Sequence, residues 1–186
     1  MSKTKRKIFA ISGSSRKESI NAKILNNIRD TYKSSIDLTF FFGLENLPAS
    51  DAESPPDENN IEKVNNFRAQ IEEADAVIIS TPEYQSDLPD QLKNGLEWTA
   101  ASLFENKPLA FIVTATSGGK AFNTLDQMVS KLAKTKIADS AKLLISGKSS
   151  RVDESGTIVS KTVTKEIGEL VDSLLSEIEL IQSAKI

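Results

Sequence analysis

A chain of 186 residues, 39% hydrophobic and 26% charged, has the make-up of one globular domain able to bury about 70% of its unfolded surface. Cysteine and histidine are both absent, which excludes disulfides, thiolate nucleophiles, imidazole bases and nearly every zinc site. A net charge of −3 argues against a nucleic-acid binder, and no apolar run approaches the roughly 20 residues that a bilayer-spanning helix needs. Lys3, Lys5, Arg6 and Lys7 open the chain, but the apolar stretch behind them ends at Ile11, too short for an export core. A cytoplasmic protein with a basic tail before its first strand is expected.

Two hydrophobic periods alternate from there. Residues 7–12 (KIFAIS), 36–41 (IDLTFF), 76–80 (AVIIS), 109–114 (LAFIVT) and 142–146 (KLLIS) are short, β-branched or aromatic, and bounded by turn residues. They read as strands buried on both faces. Helical stripes lie between them. Ile20, Ile24, Leu25, Ile28 and Tyr32 form the first; Ile61, Val64, Phe67 and Ile71 the second; Leu88, Leu92, Leu96 and Leu103 the third. Leu125, Met128, Val129 and Leu132 form the fourth, and Ile167, Leu170, Val171, Leu174, Leu175, Ile178 and Ile181 the last. Five strands alternating with five helices predict an α/β three-layer sandwich: a five-stranded parallel sheet with helices on both faces. At this length the flavodoxin-like strand order 2-1-3-4-5 suits it, as one domain over residues 1–186. Residues 51–60 (DAESPPDENN) read as a solvated loop, and residues 151–160 (RVDESGTIVS) as a small excursion around Gly156.

In an open parallel sheet, ligands bind beyond the carboxyl ends of the strands, which directs attention to three loops. The loop after the first strand (GSSRKESIN) feeds a helix, so its N–H groups sit at the positive end of a dipole. Ser14, Ser15, Ser19, Asn21 and Arg16 would surround an anion with donors. Equally open is a plainer reading: Ser19 caps the helix and Arg16 is solvated. The loop after the third strand runs TPEYQSDLPDQLKNGLEW, its two prolines bracketing polar groups and an aromatic that suit a planar ring. Asp87 and Asp90 read there as complements to a helix dipole, and Lys93 with Glu97 as a surface pair. Glu83 is the one carboxylate of the loop to weigh as catalytic, against a role anchoring it. The loop after the fourth strand contains Gly118 and Gly119, which allow close approach of a ligand to backbone or merely a tight turn.

In order and spacing, GSSRKESIN, TPEYQSDLPDQLKNGLEW and TSGGKAFNTLDQ resemble the NADPH-dependent FMN reductase family, which includes azoreductases, quinone reductases and chromate-reducing flavoproteins. The resemblance runs from Lys7 through the final helix. It implies FMN as cofactor and NADPH or NADH as co-substrate. Ser14, Arg16, Ser19 and Asn21 would hold the FMN phosphate; Pro82, Glu83, Tyr84 and Gln85 would line the isoalloxazine; Ser117, Gly118 and Gly119 would face its pyrimidine end. Two positions depart from the family pattern, which usually has Asn in place of Gln85 and Gly in place of Asp90.

The resulting expectation is an NAD(P)H-dependent oxidoreductase passing hydride to FMN and then to a quinone, azo compound, free flavin or metal oxyanion. No side chain is named as catalytic, because the flavin carries the chemistry. The alternatives are a flavodoxin-type electron carrier without nicotinamide turnover and a non-flavin regulatory domain on the same fold. The resemblance also implies a homodimer or homotetramer, for which Trp98, Leu103, Phe104 and Phe122 offer apolar surface unless they fill the chain's own core.

Overall fold

A computed structural model describes residues 4–51, 56–116, 119–133, 137–147, 153 and 157–184. Five parallel strands, β1 (Arg6–Ser12), β2 (Ile36–Phe41), β3 (Ala76–Pro82), β4 (Leu109–Ala115) and β5 (Lys142–Ser146), stand in the order β2-β1-β3-β4-β5. Ala10 lies between Phe40 and Ile78, and Ile79 between Ile11 and Phe111. The central strands are buried on both faces, as expected. The edge strands are not: Asp37 and Thr39 of β2 are exposed while Ile36 and Leu38 are buried, and β5 alternates between buried and half-buried. An edge strand has one neighbour and less helix above it, so one face stays wet.

Helices α1 (Ile20–Thr31), α2 (Glu58–Glu73), α3 (Asp90–Glu97), α4 (Lys120–Leu132) and α5 (Lys161–Ser183) cover the sheet. Three start on side-chain caps. Ser19 Oγ accepts from the Ala22 N–H, Asp57 Oδ1 from the Asn60 N–H, and Ser160 Oγ from the Val163 N–H. Each satisfies a donor that the first helical turn leaves unpaired. Helix α2 therefore begins inside the stretch expected to be loop; residues 52–55 lie outside the described residues. So does Gly156, about which an excursion was expected, although the Asp153 N–H donates to the Thr157 carbonyl at 2.9 Å.

The stripes meet the sheet with one correction. Leu88 precedes α3 and Leu103 lies beyond it, in a 3-10 turn over Ala101–Phe104. The third stripe is thus a short helix flanked by irregular segments whose leucines share its buried side. The helix ends where the Thr99 hydroxyl donates to the Leu96 carbonyl and the Trp98 indole N–H reaches the Pro48 carbonyl at 2.7 Å. In α2, Val64, Phe67 and Ile71 are fully buried, and Phe67 packs against Phe41 at 4.7 Å between ring centroids; Ile61 is 39% exposed. Phe104 belongs to the core, Phe122 packs on Phe111, and Trp98 lies under the Arg68 guanidinium. The first of these is therefore unavailable as surface, and the other two are partly used within the chain.

Candidate functional site

All three loops emerge at the carboxyl end of the sheet. The β1 exit is flush against β3: the Gly13 N–H donates to the Ser80 carbonyl at 2.8 Å, and a Cβ on Gly13 would fall 2.2 Å from Thr81 Oγ1. Only a residue without Cβ fits that crossing. Beyond it, Ser14 is buried; its N–H donates to Ser12 Oγ, and its own Oγ accepts from the Arg16 N–H. Ser19, also buried, performs the helix capping that the plainer reading assigned to it. Asn21 is buried too. Its Nδ2 donates to Ser80 Oγ at 3.1 Å and its Oδ1 accepts from Thr114 Oγ1 at 3.0 Å, binding α1 to the ends of β3 and β4. Ser14 and Ser19 thus accept through their oxygens in these contacts, leaving each hydroxyl able to donate. Arg16 is exposed, with no carboxylate partner among the described residues.

The β3 exit is built as a tight turn. Tyr84 and Asp87 exchange both backbone hydrogen bonds at 2.8 Å, and the two residues between them, Gln85 and Ser86, have φ of 49° and 61°. Two left-handed residues at the centre of a four-residue turn match the hairpin type that prefers Asn-Gly. Gln-Ser lacks that signature, which is why sequence patterning left the turn undetected. The Glu83 N–H donates to the Thr114 carbonyl, extending the β3–β4 ladder into the loop. Glu83 Oε2 is buried and takes no hydrogen bond from any described residue. Tyr84 is 43% exposed.

Asp87 accepts from the Leu88 N–H at 2.8 Å through one oxygen and from Lys93 Nζ at 3.0 Å through the other. The Leu88 bond above all, then the Lys93 bond, holds its carboxyl below the ordinary carboxylate value, and the Asp87 bond raises the Lys93 ammonium above its own. Lys93 also reaches Asp90 at 3.5 Å. The expected Lys93–Glu97 pair is therefore replaced, and Glu97 instead accepts from the Ser50 hydroxyl. Asp87 is a loop clamp more than a complement to the α3 dipole.

At the β4 exit, Ser117 and Gly118 lie outside the described residues. Gly119 precedes α4 without a side-chain cap, and a Cβ there would meet nothing within 4 Å. Between this helix start and the turn after β3 opens a cleft of about 680 Å³. Glu83, Tyr84 and Gln85 line it, together with residues that the sequence did not single out as binding: Asp87, Leu88, Pro89, Asp90, Gln91, Lys93 and Lys120. Gln91 further joins α3 to the first loop, its Nε2 donating to the Gly13 carbonyl at 3.3 Å. Among the described residues no cluster of carboxylates is arranged to hold a metal ion, and no helix is long and apolar enough to cross a membrane.

The geometry thus offers an exposed guanidinium with hydroxyl donors on one loop and an open polar cleft beneath an exposed tyrosine on the next. The chain is similar to several known proteins. The family described as NADPH-dependent FMN reductase matches residues 6–148. A 2-hydroxy-1,4-benzoquinone reductase of a Burkholderia species is 29% identical over 175 residues, covering 89% of this chain and 92% of its own. An NADPH azoreductase of Bacillus sp. strain OY1-2 is 28% identical over 127 residues, 68% of each chain. Among solved structures, a flavoenzyme NAD(P)H:(acceptor) oxidoreductase from Paracoccus denitrificans superposes with a TM-score of 0.69 at 20% identity, covering 94% of this chain and 97% of its own.

Proposed function

The chain belongs to the NADPH-dependent FMN reductase family, an oxidoreductase family using FMN and NAD(P)H, and from that premise we propose that it reduces a small-molecule acceptor at the cleft beside Tyr84. Quinones, azo compounds, free flavins and metal oxyanions are the candidate acceptors. The residues present fit the cofactor. A phosphate calls for a charged donor not already committed and for hydroxyls able to donate, and the first loop supplies Arg16 with Ser14 and Ser19. A planar ring calls for open space bordered by backbone, which the cleft and the bare face of Gly119 supply.

On this reading Arg16, Ser14 and Ser19 hold the phosphate, while Asn21 positions the loop by fastening α1 to β3 and β4. Pro82, Glu83, Tyr84 and Gln85 border the ring, largely through backbone fixed by the Tyr84–Asp87 turn. Bound FMN supplies the hydride chemistry. The protein contributes position and an entry for the second substrate, which suits a chain without histidine or cysteine. A homodimer is proposed from the family alone.

The observation that carries the reading is the exposed Arg16 guanidinium, without a carboxylate partner among the described residues, on the loop that feeds α1 at the same end of the sheet as the cleft. The test is a visible spectrum of the FMN-loaded protein under anaerobic conditions, followed by NADPH or NADH. Rapid bleaching is expected. A protein that takes up FMN but stays yellow is an electron carrier, and one that takes up none overturns the assignment.

A further inference from the structure

The charges around the cleft bear on which acceptor enters it, an inference that rests on the functional reading above. Three carboxylates, Glu83, Asp87 and Asp90, line it against two ammoniums, Lys93 and Lys120. The ammonium of Lys93 is engaged by Asp87 at 3.0 Å and by Asp90 at 3.5 Å, so little of its charge is left to attract a ligand. Lys120 stands exposed at the first position of α4, with no carboxylate paired to it among the described residues. The Asp90 side chain is 100% exposed at the first position of α3, so its charge faces whatever approaches that wall. Among the described residues Lys93 alone is paired with it, and Lys93 is shared with Asp87.

We infer that the cleft ranks small acceptors by charge, taking neutral quinone-type rings more tightly than compact anions such as metal oxyanions, with Asp90 setting the bias and Lys120 opposing it; the phosphates of a nicotinamide cofactor lie far from the ring that enters. A single carboxylate beside the entry of a solvated cleft changes the affinity of a ligand by about two- to fivefold for each negative charge that the ligand carries. A dianion feels the square of that factor. The effect fades as salt shortens the screening length to about 8 Å or less. An uncharged ring feels none of it.

The test uses the oxidised FMN-loaded protein without nicotinamide, so that nothing turns over and binding alone is read by calorimetry. The probes are a neutral naphthoquinone and the same ring bearing a sulfonate, at low and at high salt. The neutral ring is expected to bind more tightly than the sulfonate at low salt, and salt to narrow the gap. In Asp90→Asn the gap closes by about two- to fivefold, and in Lys120→Gln it widens by a similar factor. The neutral ring reports in every variant whether the cleft is intact. A gap that Asp90→Asn leaves unchanged, or a sulfonate that binds the unsubstituted protein more tightly than the neutral ring, overturns the inference while the acceptor reading stands. Failure of both rings to bind overturns the acceptor reading itself, and the charge bias with it.

Discussion

Gly13 and Arg16 stand three positions apart on one loop, and the structure assigns them opposite kinds of consequence. At Gly13 the constraint is steric: a Cβ would meet Thr81 Oγ1 at 2.2 Å, Thr81 Cβ at 2.6 Å and a Leu92 methyl at 3.2 Å. Thr81 is wholly buried on a central strand and has nowhere to go. Gly13→Ala should therefore cost about 1–3 kcal/mol of stability, read as a lower urea midpoint in the apoprotein. An unchanged midpoint would mean that the β1 exit is free to move. At Arg16 the constraint is chemical. The side chain is exposed and supports no described contact, so Arg16→Ala should leave the urea midpoint where it is. Loss of a charge-assisted bond of ~1.5–3 kcal/mol should weaken FMN roughly 10- to 150-fold, measured by flavin titration. Unchanged FMN affinity would return Arg16 to the solvated role. The sequence displayed both residue types in the right loop, but only the structure separates the serine and asparagine already at work within the fold from the arginine that is not.

At the scale of elements, what was legible and what was not follow one physical division. The strands could be read nearly to their ends because β1, β3 and β4 are buried on both faces, and a run such as AVIIS has no other stable destination. The third helix could not, because Leu88 and Leu103 keep helical spacing while lying on irregular backbone that faces the same core. The turn over Tyr84–Asp87 escaped for a related reason: its left-handed pair is Gln-Ser, and nothing local announces it. What holds that turn is tertiary, the Lys93 ammonium reaching back from α3 to Asp87. The sign of its pH dependence can be worked out. Asp87 titrates below its ordinary 3.8, so its share of stability is present above 3.8 and is lost as pH falls through the lower folded value. Lys93 titrates above its ordinary 10.5, so its share is present below 10.5 and is lost as pH rises through the higher folded value. The clamp is intact across the neutral range. Both side chains are about one-third exposed, which limits the pair to about 0.2–1 kcal/mol. Lys93→Met should lower Tm at neutral pH by at most about 4 °C, and the difference from the unsubstituted protein should close in acid below 3.8. A gap that persists in strong acid would assign the loss to packing of the lysine stem.

For the molecule as a whole, the sheet order decides how many substrates can be served at once. With β1 and β3 adjacent and β2 and β4 outside them, the loops after β1, β3 and β4 crowd one end of the sheet. The phosphate-binding candidates occupy the first loop and the ring-lining candidates the second, so a bound flavin would be held from both sides of that crowding. The cleft bounded by Tyr84, Asp90 and Lys120 would take both the flavin ring and the second substrate that reacts with it. Its volume of about 680 Å³ lies within the usual range for a single small-molecule site, about 300–1,000 Å³. A nicotinamide ring and an acceptor would have to take turns there if each is to reach the flavin through the cleft. Double-reciprocal plots of initial rate, with NADPH varied at several fixed quinone concentrations, should then give parallel lines, the signature of one substrate leaving before the other binds. Oxidised nicotinamide should also compete with the quinone and not with NADPH. Lines that intersect would show both substrates bound together, which this rim accommodates only if the acceptor has a second entry, and would move the acceptor site away from Tyr84.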